Sequence, residues 1–98
     1  MEPQINADER GLDGITEKII GCAYAVANEL GCGFLEKVYE NAMFVALTQS
    51  ELQVRQQWPM VVRFRQVVVG DYIADLFVEE QVLVEVKAVK ALDEVHSA

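Results

Sequence analysis

Tyr72 to Lys90 read Y-I-A-D-L-F-V-E-E-Q-V-L-V-E-V-K-A-V-K, two apolar runs joined by a short acidic turn. Three charged side chains, Asp75, Glu85 and Lys87, stand inside runs otherwise made of Ile, Ala, Leu, Phe and Val. Strand side chains alternate faces, so Glu85 and Lys87, two apart, point the same way. A three-residue loop, Glu79 to Gln81, pairs Val78 with Val82 and sets Asp75 directly opposite Glu85, whereas a two-residue loop puts Asp75 on the other face. On the three-residue register, two carboxylates and an ammonium meet on one patch of sheet. Oxygen ligands of this kind suit a hard divalent cation, and with a cationic neighbour they form an arrangement that metal-assisted phosphodiester hydrolysis uses. A carboxylate among apolar neighbours tends to be paired, protonated or metal-bound. By spacing alone, the same pattern also describes an amphipathic strand whose solvent side carries Glu85 and Lys87.

Working outward, the apolar period is two from Leu52 onward. Val54 to Trp58 and Met60 to Phe64 read as one strand interrupted or bulged at Pro59, since Pro in a strand marks an edge or a bulge. Val67 to Val69 and Asp71 to Val78 make the next strand segment, with a turn at Arg65-Gln66 or at Gly70-Asp71. Val82 to Val89 closes the meander. Val82, Val84 and Val86 are expected to face the helices, and Leu83, Glu85, Lys87 and Val89 the other side.

Before the strands, the period is helical. A first helix is expected from Asp13, a suitable N-cap, to Leu30, with Ile15, Ile19, Cys22, Ala23, Val26, Ala27 and Leu30 on one stripe and Gly31 ending it. The loop Gly31-Cys32-Gly33 leads into a second helix, Leu35 to Glu51, whose stripe is Leu35, Val38, Tyr39, Ala42, Met43, Ala46 and Leu47. Glu36 in its first turn complements the helix dipole, and Tyr39 one turn on reads as half-buried packing. Residues 1 to 12 are polar and aperiodic and read as a frayed tail. Ala91 to Ala98 begins a third helix, with Asp93 or Glu94 near its start.

Ninety-eight residues with 52% apolar and 24% charged side chains make one small globular domain. No apolar run approaches the roughly 18 residues of a membrane span, and M-E-P-Q-I-N-A-D-E-R lacks a signal peptide's basic and apolar regions, which predicts a cytoplasmic protein. Cys22 and Cys32 fit no C-x-x-C spacing and read as reduced thiols in or near the core. The net charge of −8 argues against a general nucleic-acid binder. Its distribution softens that objection: residues 1 to 51 hold three basic and nine acidic side chains, residues 52 to 98 five and seven. A bound divalent cation would also cancel some of its own carboxylates.

The segment G-F-L-E-K-V-Y-E, Gly33 to Glu40, follows I-T-E-K-I-I-G and precedes the A-D-L-x-V…V-E-V-K-A hairpin. In that order, over about residues 14 to 97, the chain resembles the GxxExxY proteins, a prokaryotic branch of the PD-(D/E)xK nuclease-like superfamily. The resemblance implies an α+β, restriction-endonuclease-like domain over residues 13 to 98, with two N-terminal helices packed on an antiparallel three- to four-stranded meander. It implies Glu36 as the helical acid, Asp75 as the motif aspartate with Ala74 where the signature names Pro, and Glu85 and Lys87 as the (D/E)xK pair. Tyr39 matches the family tyrosine, in a structural role. The superfamily core continues past the Glu-x-Lys strand into another helix and strand, so the resemblance implies an incomplete core, truncated at the C-terminus. A sheet face bearing Leu83, Val89, Ile73 and Phe77 is then bare, which predicts a homodimer covering the open sheet. His96 reads as a helix-start residue.

These readings combine into a Mg²⁺- or Mn²⁺-dependent endo- or exonuclease acting on nucleic acid, with DNA the expected substrate. Asp75 and Glu85 would hold the ion, with Glu36 reaching it directly or through water and the Val86 carbonyl at a further position. Lys87 orients the attacking water and stabilises charge on the phosphorane, rather than serving as base. Arg55, Arg63 and Arg65 are candidate phosphate contacts, although a solvated strand face accounts for them equally well. The alternative is a non-catalytic protein-interaction module that retains the nuclease fold. Such a module has no need of a divalent ion at Asp75 and Glu85.

Overall fold

Val78 pairs with Val82 across a loop of Glu79, Glu80 and Gln81, the register that sets Asp75 towards Glu85. Glu79 and Glu80 both take left-handed backbone angles (φ 54° and 53°), and the Gln81 amide donates to the Val78 carbonyl at 3.0 Å. The computed structural model describes residues 2–7 and 13–88. The elements in chain order are β1 (Glu2–Ala7), α1 (Asp13–Leu30), α2 (Glu36–Gln49), β2 (Val54–Phe64), β3 (Val67–Val78) and β4 (Val82–Lys87). All four strands are antiparallel in one sheet of order β1-β4-β3-β2. The architecture is α+β: two helices, then a three-stranded meander, with β1 added beside β4.

The core forms where the helical stripe meets the alternate residues of the sheet. Ile19, Cys22, Ala23 and Val26 of α1 and Tyr39, Met43 and Leu47 of α2 are buried with Leu76, Val78, Val82, Val84 and Val86. Val82, Val84 and Val86 face the helices as the alternation predicts, and Glu85 lies half-buried and Lys87 exposed. Fully burying an aliphatic side chain of this size contributes about 1.5–3 kcal/mol. Among the described residues no helix is long and apolar enough to cross a membrane.

The connection between the helices decides where α2 begins. Gly31 (φ 71°) and Gly33 (φ 113°) occupy backbone conformations that favour glycine. Tyr39, 1% exposed, donates its hydroxyl to the Gly31 carbonyl at 2.7 Å and accepts from the Phe34 amide at 3.2 Å. Gly33 and Tyr39 thus bracket Glu36, and the loop they hold places that carboxylate at the first residue of α2.

Several expectations are corrected. Residues 2–7, part of the stretch expected to fray, run as β1 with Gln4 opposite Glu85 and Pro3 opposite Val86. The reason is the edge of β4, whose amides and carbonyls pair with any extended backbone, so no side-chain alternation was needed to recruit that segment. The second helix starts at Glu36, not Leu35, and ends at Gln49 rather than Glu51, which is left-handed (φ 65°). Leu35, in the extended cap position, is 80% exposed and Val38 is 39% exposed, so neither belongs to the buried stripe. Cys32 is likewise exposed. β2 runs through Pro59, which stays in register with Ile73; its irregularities are a left-handed, unpaired Gln57 and a register shift between Val62 and Arg63. Pro59 is tolerated because β2 is an edge strand. The turn lies at Arg65-Gln66, both left-handed (φ 51° and 68°), and Gly70 is inside β3. On the sheet face away from the helices Ile73 is 56% exposed, while Phe77 and Leu83 are half-buried. Val89, the third helix and His96 lie outside the described residues.

Candidate active site

The β3–β4 ladder is short. It has three Cα pairs, ending at Leu76 opposite Val84, and beyond them β3 leaves β4. Alternate amides of a strand point to one edge, so the amides of Val86 and Ala88 lose their strand partner there. Two carboxylates take them instead. Asp75 Oδ2 accepts from the Val86 amide at 2.8 Å, and Glu36 Oε2 accepts from the Ala88 amide at 3.2 Å. Asp75 from β3 and Glu36 from the start of α2 are therefore brought to the same edge of β4, on either side of Lys87 along the strand.

Glu85 is the second carboxylate of the hairpin. Partial burial pushes its pKa up, and the adjacent Asp75 raises it further, while a hydrogen bond from Tyr72 and the charge of Lys87 pull the other way. The Tyr72 hydroxyl donates to Glu85 Oε1. That bond to a carboxylate, with a smaller contribution from Asp75, raises the phenol to about 12. Asp75, Tyr72 and Lys87 thus all act on Glu85 at the end of the β3–β4 ladder. Among the described residues no three of His, Cys, Asp and Glu surround one point as a metal cage does. Glu36 is accordingly not gathered with Asp75 and Glu85 into a three-carboxylate cluster. Mg²⁺ commonly binds through one or two carboxylates, with waters and substrate phosphates filling the other positions. The oxygen-only pair Asp75 and Glu85, whose mutual repulsion a cation relieves, fits that requirement.

The profile of the PD-(D/E)XK nuclease superfamily matches residues 13–98, nearly the whole chain. The chain belongs to the PD-(D/E)XK nuclease superfamily. No curated protein and no solved structure matches it. Membership in this superfamily supports a nuclease-like function.

Two residues of this PD-(D/E)XK domain escaped the sequence reading. Tyr72 sits outside the motif, and a tyrosine in a β-rich run has no periodic signature that separates it from packing. Glu40 is the one buried charged side chain among the described residues, 5% exposed. Its position four residues after Glu36, beside the Tyr39–Met43–Leu47 stripe, was the available signal. The three arginines are exposed on β2 and its turn: Arg55 lies 5.2 Å from the Trp58 ring and 3.9 Å from Glu80, and Arg65 lies 5.0 Å from the Phe64 ring.

The electrostatics give a signed expectation for the metal-free protein. Because Glu85 is raised when folded, its protonated form is favoured in the native state. The stability it contributes is full below the ordinary carboxylate range and is lost as pH rises through the raised value. Tyr72 behaves alike at alkaline pH: its contribution is present below the ordinary phenol value of 10.0 and lost as pH rises through about 12. Tyr72→Phe removes a hydrogen bond that holds Glu85 down, so Glu85 should titrate at higher pH in the variant, as followed by its side-chain carboxyl carbon in NMR. A Glu85 midpoint that stays put or falls contradicts the Tyr72 contact.

Proposed function

We propose that this chain is a divalent-metal-dependent nuclease-like protein of the GxxExxY branch, hydrolysing phosphodiester bonds of nucleic acid, with DNA as substrate. The observation that carries the reading is the forced proximity of Asp75 and Glu85 where β3 leaves β4, with Lys87 beside them. Nucleases of this superfamily usually use divalent metals. Asp75 and Glu85 are the protein ligands for Mg²⁺ or Mn²⁺. A divalent cation held there supplies Lewis acidity towards a phosphoryl oxygen.

The chain's own residues do the rest. Glu36, fixed on the Ala88 amide, stands at the site's margin, where it orders solvent rather than contacting the ion directly. Lys87 orients the attacking water and offsets charge on the phosphorane. Tyr72 holds Glu85 in its ionised, ligating form. Arg55, Arg63 and Arg65 contact the phosphate backbone. Residues 52–70 contain these three arginines and no acidic residue, in a chain of net charge −8. A polyanion meets least repulsion there.

A second reading has its own observation. The far end of the β2–β3 hairpin exposes Val61, Val62, Phe64, Val67, Val68 and Val69, each between 43% and 62% accessible. Exposed apolar patches of this kind mark protein contacts, here a homodimer or the partner of a non-catalytic interaction module. Isothermal titration of Mn²⁺ into the chain, with its mass in solution recorded, separates the two. Saturable binding followed by cleavage of single- or double-stranded DNA is the expected result. A folded, associated protein that binds no Mn²⁺ would leave the interaction module as the function.

A further inference from the structure

We infer that Glu40 is a positioning residue that breaks the β2–β3 ladder at Gln57 and thereby frees Asp75 to take the Val86 amide. The inference rests on the nuclease reading for its functional meaning and on the metal-free geometry for its substance. Glu40 lies on α2 in the apolar layer between helices and sheet, 5% exposed. Its carboxylate accepts from Gln56 Nε2 at 2.6 Å, from Gln57 Nε2 at 3.0 and 3.1 Å, and from Lys37 Nζ at 3.1 Å. Burial alone raises such a group, but these donors outweigh it and hold Glu40 below the usual carboxylate range.

Consecutive strand residues point to opposite faces, so Gln56 and Gln57 cannot both reach one carboxylate from a regular strand. The irregularity is at Gln57, whose φ is 54°. An independent contact shows the same break. Arg55 is the register partner of Phe77, and alternation puts Trp58 on the other face from both. Instead the Trp58 ring stacks on Phe77, with centroids 5.5 Å apart, and the Arg55 guanidinium sits over it. The Trp58 ring thus leaves the face that strict alternation assigns it, next to the left-handed Gln57.

The position opposite Gln57 is Asp75. The ladder pairs Gln56 with Leu76 and Trp58 with Ala74, and the Gln57–Asp75 pair between them is missing. The Asp75 backbone therefore has no register partner on its β2 side, at the residue where β3 also leaves β4. Its backbone is outside a continuous three-stranded ladder there, and its carboxylate accepts from the Val86 amide. Asn41 shares the Gln56 amide at 2.6 Å, which anchors the neighbouring residue to α2 as well.

The test reads the Val86 amide in the metal-free full chain, by its proton shift and hydrogen exchange in NMR. Asp75→Ala defines the signal of a Val86 amide without its carboxylate. Gln57→Ala removes the tether and keeps the steric cost of a left-handed residue, and Glu40→Ala removes the anchor itself. Both should move the Val86 proton towards the Asp75→Ala position and speed its exchange about tenfold. Lys37→Ala, which leaves both glutamine donors in place, should change neither. If Glu40→Ala does not fold, Gln57→Ala decides. A Val86 amide that keeps its shift and protection in folded Gln57→Ala overturns the inference, even if the variant melts earlier. Mn²⁺ affinity should fall about tenfold in the same variants, as for residues that orient a metal ligand. Unchanged affinity beside a displaced Val86 signal also overturns the positioning role. Absence of Mn²⁺ binding to the unaltered chain sinks the nuclease reading instead, and the Val86 experiment still judges the geometry.

Discussion

Asp75→Ala is expected to reduce metal-dependent cleavage by about a thousandfold or more, since losing several kcal/mol of transition-state stabilisation costs roughly a factor of ten per 1.4 kcal/mol. Two losses combine in that variant. One of only two carboxylates proposed to hold the cation disappears, and the Val86 amide on the same edge loses its acceptor. Asp75→Asn separates them. The amide oxygen still accepts from Val86, so the strand end stays in place, while the charge is gone. If Asp75→Asn cleaves as poorly as Asp75→Ala yet keeps the Val86 amide signal, the charge is what matters. Cleavage by Asp75→Asn near the unaltered rate would mean that Asp75 serves the strand end and that the catalytic role belongs elsewhere. Single-turnover rates on a labelled DNA substrate at saturating Mn²⁺ are the measurement.

The largest effect on stability should come from Leu76→Ala. Leu76 is 0% exposed, next to Asp75 and inside the layer formed with Met43, Leu47 and Val84. A buried Leu→Ala change costs about 2–5 kcal/mol, through lost transfer energy and the cavity left behind. In a domain of this size that lowers Tm by roughly 10–25 °C. Val68→Ala on the far end of the hairpin, 52% exposed, is the comparison, and it should lie within about 0.5 kcal/mol of the unaltered chain. Thermal melts followed by circular dichroism decide. Equal melting temperatures for the two variants would mean that the helices do not clamp the sheet at Leu76.

The hairpin and the first helix were legible because their side chains alternate, or recur, without interruption. Val82, Val84 and Val86 announce a buried face, but the acidic interval left a two- or a three-residue loop open, and the Val78–Val82 pair decides for three residues. The strand formed by E-P-Q-I-N-A had no such pattern, because its place is set by β4's backbone and not by its own side chains. Leu35 looked like a helix residue from its apolar character, but Tyr39's hold on the preceding loop starts α2 one residue later. Of the candidate site, Asp75, Glu85 and Lys87 stood out in the sequence as charges inside apolar runs, and the hairpin sets Asp75 and Glu85 side by side. What stayed hidden depends on places where strands depart from regularity. Glu36 lands on the Ala88 amide only because β3 has left that edge, and Gln57 turns towards Glu40 only because its φ is left-handed. Neither departure has a glycine to advertise it.

The sheet has β1 at one edge and β2 at the other, and the chain's two prolines, Pro3 and Pro59, lie one on each. Proline has no amide hydrogen, so each edge strand carries one residue that cannot donate to another strand, and β2 is further offset between Val62 and Arg63. A hairpin with this many bare valines would otherwise be a template for cross-β stacking. Replacing both prolines should therefore raise the chain's tendency to seed fibrils, read by thioflavin-T fluorescence against the unaltered chain.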